Sequence, residues 1–220
     1  MCKCLNVADL FAGAGGTAEG LVQACRELGV EVKVTAVNHN DIALQTHATN
    51  HPEVTPICKS LDNVDPRKIY RGQQLHMLMA SPECTNHSNA KGGKPVEDQS
   101  RATAWHVLRW AEALCPEVVL VENIAEFLDW GPLIQKRDKT GKRLFKDNGE
   151  PWMIPDPERK GEIFQAWLYA LRSCGYHVSY SVVNCADYGD PTTRKRFFLL
   201  GRRSDAPAFP VFSHDKDARY

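Results

Sequence analysis

Short apolar runs alternate with segments of helical periodicity along most of the chain. The runs at 5–11, 32–37, 75–80, 118–121, 176–183 and 197–201 predict β-strands. The run at 118–121 is continuously apolar, which is typical of a strand buried on both faces. Apolar positions at helical spacing predict helices at 17–28, 41–50, 100–114 and 162–173. This alternation predicts an α/β fold with a mostly parallel, twisted sheet.

One long segment departs from the alternation. Residues 131–161 carry glycine or proline at eight positions among many charged residues, and structureless segments of this length are functional or disordered. We therefore predict one domain built from residues 1–130 and 162–212. It is interrupted by a Gly/Pro-rich basic insertion loop at 131–161 and followed by a tail at 213–220.

Composition narrows the class of protein. The 220 residues include 27 Lys plus Arg and 27 Asp plus Glu, and 43% are hydrophobic, which is enough for one globular domain. No run of about 18 apolar residues is present to span a bilayer, and the first residues lead directly into a strand without a secretory signal. We expect a cytosolic protein with no membrane partner. The basic stretch at 135–146 is either a solvated face or a local nucleic-acid contact.

The eight cysteines are scattered through predicted helices and strands. A chain of this size does not need disulfides, so we expect free thiols. Pairs such as Cys2 with Cys4, or His47 with His51, are half of a zinc site without a matching half. We therefore expect no metal.

Two segments after predicted strands favour a ligand site, because ligands bind at the carboxyl edge of open α/β sheets. The first, Asp9 to Gly20 (D-L-F-A-G-A-G-G-T-A-E-G), has glycines that let a ligand approach the backbone and the amides that begin a helix. Its alternative is a tight strand-to-helix connection. The second, residues 80–88 (A-S-P-E-C-T-N-H-S), holds Cys84 among polar residues, whereas cysteines on apolar faces are usually buried.

Two further segments carry charged side chains. Glu122 follows the most apolar strand, where burial is expected to raise its pKa and suit it to donating a proton near neutrality; the alternative is a helix N-cap at Asn123. Arg194 and Arg196 stand at i and i+2 entering a strand and point to the same side. That geometry fits a clamp on a carboxylate, a base oxygen or a phosphate. The alternative is that the two arginines lie on an exposed strand edge.

Taken in order, these four segments resemble the cytosine C5 DNA methyltransferases. The glycine segment is similar to that family's S-adenosylmethionine loop, D-L-F-x-G-x-G-G, and S-P-E-C at 81–84 resembles its nucleophile loop, P-P-C-Q. E-N-I at 122–124 is similar to its E-N-V, and P-T-T-R-K-R at 191–196 to its Q-x-R-x-R. The resemblance runs from Asp9 to about His214. It implies a Rossmann-like methyltransferase fold with helices on both faces of the sheet.

The resemblance assigns a role to each segment. Cys84, Glu122, Arg194 and Arg196 are the expected catalytic residues. The expected S-adenosylmethionine contacts are Asp9, Phe11, Ala12, Gly13, Gly15, Gly16, Thr17, Asn38, His39, Asp62, Ser81 and Pro82. Ser88 and Asn123 are expected at the substrate site, and Lys139, Lys142 and Arg143 of the basic insertion are candidates for phosphate contacts. S-adenosylhomocysteine is the expected product of the cofactor.

The implied reaction explains this set. Cytosine C5 is a poor nucleophile, so the family's cysteine thiolate attacks C6 and makes C5 able to accept the methyl group. Glu122 is expected to hydrogen-bond N3 and the exocyclic amine, with Arg196 orienting Glu122 and Arg194 nearer Cys84. The partner is DNA whose target cytosine is flipped out of the duplex, because C6 is unreachable inside it. We expect a cytoplasmic restriction-modification or related enzyme of a prokaryote or of a virus in a prokaryotic host.

The sequence also departs from the family pattern. Glu83 replaces the usual second proline, and its carboxylate is expected to raise the pKa of Cys84. Thr85 and Thr192 stand where glutamines are usual. His39 stands where an acidic residue usually grips the cofactor ribose, with Asp41 as a substitute, whereas Asp62 is the expected partner of the adenine amino group.

In the family a target-recognition domain and a final helix follow this region, and neither precedes Tyr220. We expect a truncated catalytic domain, one half of an enzyme with a separate C-terminal recognition subunit, or a protein that recognises its substrate differently. The main hypothesis is a DNA (cytosine-5-)-methyltransferase. The alternatives are a non-catalytic module that binds cofactor, DNA or a partner, and a C5 methyltransferase that acts on RNA or a free nucleotide.

Overall fold

The structure, a computed structural model, describes residues 4–83 and 102–214. A seven-stranded sheet has the strand order β3-β2-β1-β4-β5-β9-β8, and a separate two-stranded sheet pairs β6 with β7. The strands are β1 (Cys4–Leu10), β2 (Glu31–Asn38), β3 (Thr55–Cys58), β4 (Met77–Ala80), β5 (Val118–Asn123), β6 (Leu133–Gln135), β7 (Met153–Pro155), β8 (His177–Asn184) and β9 (Lys195–Arg202). The helices are α1 (Gly16–Glu27), α2 (Asp41–Asn50), α3 (Pro66–Ile69), α4 (Trp105–Leu114) and α5 (Glu162–Ser173).

The first five strands are parallel to one another, whereas β9 runs antiparallel between β5 and β8. This arrangement confirms the predicted α/β fold with a mostly parallel sheet. Because β9 is reversed, its first residues lie beside the last residues of β5, and the register pairs Asn123 with Phe197 and Glu122 with Phe198. Residues at the amino end of β9 therefore lie at the same edge of the sheet as the carboxyl ends of the parallel strands.

Helices cover both faces of the sheet, as predicted. Successive residues of a strand point to opposite faces, and the buried residues form two separate clusters accordingly. Leu78 of β4 packs in the cluster with Val107 of α4 and Leu168 of α5. Met79 packs on the other face, in the cluster with Leu44 of α2.

A group of aromatic rings fills the first of these clusters. Phe127, which follows β5, is 2% exposed. Its ring centroid lies between 5.4 and 5.6 Å from those of Trp130, Phe164, Trp167 and Phe197. The short 3-10 segment Ala125–Asp129 is thereby fixed against α5 and β9. The chain that leaves the carboxyl end of β5 is therefore held by packing.

Helix boundaries follow local signals where the sequence carries them. Asn40 caps α2, its side chain accepting a hydrogen bond of 3.0 Å from the amide of Ala43, and α5 begins directly after Gly161, whose φ is 79°. Both helices have the predicted bounds. The predicted helix at 100–114 is a turn followed by α4 within the described residues. The short strand β3 was not predicted, because Pro56 lies within it; proline is tolerated there since β3 is an edge strand.

The segment predicted as an insertion loop contains regular structure. We call residues 132–156 the β-arm. Its stem is the antiparallel pair β6–β7, and beyond the stem the chain forms two tight turns, with isolated bridges joining Arg137 to Arg143 and Phe145 to Pro151. The base is closed by a 2.9 Å bond from the Asp156 amide to the Pro132 carbonyl. Each tight turn contains a glycine with a positive φ, Gly141 or Gly149.

No helix within the described residues is long and apolar enough to cross a membrane. The six cysteines in that part of the chain are free thiols.

Candidate active site

The turn between β1 and α1 has an unusual backbone. Phe11 has a φ of 57° and Gly15 a φ of 102°, both in the left-handed region. Position 15 requires glycine, because a Cβ there would lie 2.8 Å from Cδ2 of the buried His51 ring. A Cβ at Gly13 or Gly16 would meet nothing within 4 Å. The backbone at those two positions is therefore accessible to a ligand.

Asp9 lies next to the last residue of β1, where the register places it between Ala36 of β2 and Met79 of β4. Asp9 is 2% exposed. Burial raises the pKa of the Asp9 carboxyl from 3.8 to about 7. The folded protein therefore favours the protonated form of this carboxyl more than the unfolded chain does.

A first cavity, of about 320 Å³, opens where β1 and β2 end. Four residues predicted to contact the cofactor line its wall: Phe11, Asn38, His39 and Asp62. The side-chain amide of Asn38 donates a 2.9 Å hydrogen bond to the carbonyl of Ala12, which joins the end of β2 to the glycine turn. Asp41 is the first residue of α2 and is not among the residues that line the cavity.

Several other residues of this wall were not assigned to the cofactor site from the sequence, and two of them, His106 and Glu83, carry titratable side chains that lie close to assigned residues. His106 of α4 lies with its Nε2 3.2 Å from Oδ1 of Asp62, and its ring centroid is 6.3 Å from that of Phe11. Burial, followed by the charge of Arg109, lowers the pKa of His106, and Asp62 partly offsets that effect. Glu83 also lines the cavity, with Oε1 3.9 Å from Nδ1 of His39. No sequence motif marks His106, because the contact depends on how α4 packs.

The chain after β4 is anchored to both neighbouring strands. The Ser81 amide donates a 3.1 Å hydrogen bond to the Leu10 carbonyl of β1. The side-chain amide of Asn123 donates a 3.2 Å hydrogen bond from Nδ2 to the Pro82 carbonyl, while its Oδ1 accepts a 2.8 Å hydrogen bond from the backbone amide of Ile124. Asn123 is 3% exposed. Its side chain therefore holds the start of the segment that leads to Cys84.

Glu122 forms an ion pair with Arg196 across the antiparallel strands. Oε1 of Glu122 lies 2.9 Å from Nε of Arg196, and both side chains are largely buried. Burial is the main influence on Glu122 and raises its pKa, while the charge of Arg194 and a hydrogen bond from Ser81 act in the opposite direction. The geometry joins three of the predicted segments at one carboxyl group.

A second cavity, of about 730 Å³, connects this ion pair to the glycine turn. Its lining includes Gly16, Thr17 and Gly20 from α1 together with Glu122, Arg194 and Arg196. The first turn of α1 and the catalytic candidates of β5 and β9 therefore face one space. Such a convergence of polar groups at the carboxyl edge is typical of a ligand site in this class of sheet.

The remaining site predictions fall elsewhere. Cys84 and Ser88 lie outside the described residues, and Glu83 is the last described residue before Cys84. Lys139, Lys142 and Arg143 are exposed on the first turn of the β-arm.

Comparison with known proteins identifies the family. The sequence model described as C-5 cytosine-specific DNA methylase matches residues 5–131 and 156–219. The chain belongs to this family. Among curated relatives, it is 24% identical over 215 residues to the Type II methyltransferase M1.BsuMI of Bacillus subtilis, covering 92% of this chain and 44% of that protein. It is 28% identical over 203 residues to the Type II methyltransferase M.NlaIV of Neisseria lactamica, covering 90% of this chain and 41% of that protein. This C-5 methylase chain thus spans less than half the length of these relatives.

Solved structures with the same fold include two eukaryotic methyltransferases. The methyltransferase EhMeth of Entamoeba histolytica superposes with a TM-score of 0.63 at 17% identity, covering 98% of this chain and 58% of that one. A DNMT2 mutant of Spodoptera frugiperda superposes with a TM-score of 0.61 at 17% identity, covering 94% and 53%. The C-5 methylase chain therefore has the Rossmann-like fold of S-adenosylmethionine-dependent methyltransferases.

Proposed function

We propose that this chain is the catalytic region of a DNA (cytosine-5-)-methyltransferase that transfers the methyl group of S-adenosylmethionine to C5 of a cytosine in DNA. The observation that carries the proposal is the ion pair between Glu122 and Arg196. A carboxyl with a raised pKa, fixed by an arginine and facing the same cavity as the glycine turn, is the arrangement needed to hold a proton against a cytosine ring.

The described residues fit S-adenosylmethionine. The first cavity combines an aromatic ring, Phe11, with the polar side chains of Asn38 and Asp62, which suits the flat base and hydroxyl groups of an adenosine. The open backbone at Gly13 and Gly16 admits close approach of the rest of the molecule. When bound, S-adenosylmethionine supplies an electrophilic methyl group.

Cys84 is the proposed nucleophile. Its thiolate sulfur forms a bond to cytosine C6, and the electron pair of the C5–C6 double bond moves into the ring. Glu122, held by Arg196, supplies a proton at N3 that offsets the developing negative charge. Once C5 carries the methyl group, loss of its hydrogen to a base and cleavage of the Cys84–C6 bond restore the double bond and the thiolate, and Glu122 recovers its proton.

The neighbouring charges bear on this step. A carboxylate at Glu83, next to Cys84 in the chain, opposes formation of the thiolate. The imidazole of His39, 3.9 Å from that carboxylate, partly offsets it when protonated. Arg194 lines the same cavity as Glu122 and places a positive charge near it. These partners support a catalytic role over a purely binding one.

A transfer assay tests the proposal. The protein is incubated with S-adenosylmethionine labelled in the methyl group and with duplex DNA, transfer RNA or deoxycytidine monophosphate, and the labelled base is identified by mass spectrometry. We expect 5-methylcytosine in DNA, and its loss in Cys84→Ser but not in Cys115→Ser, which changes an exposed cysteine just before the amino end of β5, at the opposite end of that strand from Glu122. Transfer to RNA or to the nucleotide alone would reject the DNA assignment, and a Cys84→Ser variant with full activity would reject the mechanism.

A further inference from the structure

The β-arm carries two turns of the same backbone geometry on one stem. In the first turn the Asp138 amide donates to the Lys142 carbonyl at 2.9 Å and the Gly141 amide to the Asp138 carbonyl at 3.1 Å. The second turn repeats this pattern. The Lys146 amide donates to the Glu150 carbonyl at 2.8 Å and the Gly149 amide to the Lys146 carbonyl at 2.9 Å. The φ angles of the turn glycines, Gly141 and Gly149, are 86° and 83°. The two turns therefore differ in side chains and hardly at all in backbone conformation.

Their charges are opposite. The first turn, residues 137–143, is here called the basic turn and holds four cations and one carboxylate. The second, residues 145–151, is called the acidic turn and holds one cation and two carboxylates. In the acidic turn the cation is used internally, because Nζ of Lys146 lies 2.8 Å from Oε2 of Glu150. The acidic turn consequently offers an anionic ligand no unpaired lysine or arginine.

In the basic turn the single carboxylate stabilises the turn itself. Oδ1 of Asp138 accepts hydrogen bonds from the amide and hydroxyl of Thr140 and from the Lys142 amide, at 2.8, 2.6 and 3.0 Å. These bonds lower the pKa of Asp138. Three exposed cations, Lys139, Lys142 and Arg143, form no ion pair with any residue that the structure describes.

The base of the β-arm lies close in the chain to the strand that carries Glu122. The stem begins ten residues after Asn123, and Nζ of Lys160 lies 2.9 Å from Oδ2 of Asp129 where the chain returns. A Cβ at Gly131 would overlap the carbonyl of Arg159, so the two ends of the insertion are in direct contact. The sequence model of the family omits residues 132–155. The β-arm is therefore an addition to the common core of the family, and it follows β5 in the chain.

We infer that the basic turn of the β-arm binds backbone phosphates of the DNA substrate through Lys139, Lys142 and Arg143, whereas the acidic turn does not. The inference rests on the proposed function for its ligand. Clustered exposed cations on a preformed turn lose little conformational freedom in the backbone on binding, and phosphate contacts fix the position of a duplex without reading its sequence. The contact adds to affinity for duplex DNA of any sequence.

Salt dependence measures such contacts directly. Each phosphate neutralised by a protein cation contributes about −0.9 to the slope of log K against log salt concentration. We therefore expect the triple variant Lys139→Gln, Lys142→Gln, Arg143→Gln to bind a short duplex less tightly and with a slope shallower by about 2 to 3. Asp138 and Gly141 are unchanged in this variant, so the backbone of the turn is retained.

The matched control removes the same charge elsewhere. Lys33, Lys68 and Arg71 are exposed, lie at or before the amino ends of β2 and β4, and are replaced together by glutamine. We expect its slope to equal that of the unmodified protein. The inference is overturned if the basic-turn variant has the same salt slope as the unmodified protein, or if both variants lose the same amount of slope. A change in slope seen only with transfer RNA overturns the assignment to DNA.

Trapping of a covalent adduct on 5-fluorocytosine DNA at saturating concentration tests the proposed function separately. An adduct in all three proteins with no difference in slope rejects the role of the basic turn and leaves the proposed function standing. A slope change confined to the basic-turn variant without any adduct supports the phosphate contact and rejects the catalytic proposal.

Discussion

Replacing Asp9 by asparagine is expected to stabilise the ligand-free protein at neutral and alkaline pH. Asp9 is almost completely buried in β1, and burial raises its pKa from 3.8 to about 7. The folded state therefore resists ionisation of this carboxyl, whereas the unfolded chain does not. Asparagine has nearly the same shape and no charge to bury, so Asp9→Asn removes the penalty.

The magnitude follows from the two pKa values. One pKa unit corresponds to about 1.4 kcal/mol, so a carboxyl that ionises near 7 in the folded state and near 3.8 in the unfolded state costs about 4 kcal/mol once both are ionised. Below pH 3.8 both states are protonated and the cost vanishes. Between about pH 4 and 7 the folded state binds more protons than the unfolded state, so the contribution of Asp9 to stability falls as pH rises. Above pH 7 it stays constant.

Urea unfolding at intervals from pH 4 to pH 8 measures this effect. The difference in unfolding free energy between Asp9→Asn and the unmodified protein should be near zero at pH 4 and reach up to about 4 kcal/mol at pH 8. Asp138→Asn is the control, because the pKa of that exposed carboxyl is lowered by its turn hydrogen bonds and its substitution should not stabilise the protein at high pH. A difference for Asp9→Asn that is independent of pH would refute the reasoning.

Three further predictions concern the site and the core. Glu122→Gln should lower the rate of methyl transfer by about 10²- to 10⁴-fold because the proton it holds is lost, and Arg196→Gln should give a smaller loss in the same assay; unchanged rates would contradict the assigned roles. Gly15→Ala should destabilise the protein by about 1–3 kcal/mol, whereas Gly20→Ala, inside α1 with open space around it, should stabilise it by about 0.5–1 kcal/mol; equal effects in urea unfolding would contradict the strain at position 15. Phe127→Ala should cost about 3–5 kcal/mol, and a loss below 1 kcal/mol would show that the aromatic cluster does not anchor the segment after β5.

Much of the fold could be predicted because local signals agree with the final packing. The helix at 162–173 has a glycine before an apolar stripe, the helix at 41–50 has a capping asparagine, and β5 begins with a continuous apolar run of four residues. Such features depend on neighbours in sequence. The edge strand β3 and the stem of the β-arm carry no such signal, because three- or four-residue strands that contain or adjoin proline resemble loops.

The site could be predicted only in part. Glu122 and Arg196 were selected from separate motifs, but their 2.9 Å contact depends on the reversal of β9 beside β5, which no local pattern encodes. His106 contacts Asp62 from a different helix, and Asn123, expected at the substrate, turns inward to hold the Pro82 carbonyl. Sequence spacing identified which chemical groups are present. Their partners were set by long-range packing.

The covalent step at Cys84 is the central claim, and trapping tests it most directly. The protein is mixed with S-adenosylmethionine and duplex DNA containing 5-fluorocytosine, in which the fluorine at C5 blocks the final elimination, and the product is digested for mass spectrometry. We expect a peptide containing Cys84 that carries the methylated base, absent in Cys84→Ser and present in Cys115→Ser. An adduct at another residue, or methyl transfer to ordinary cytosine without any adduct, would contradict it.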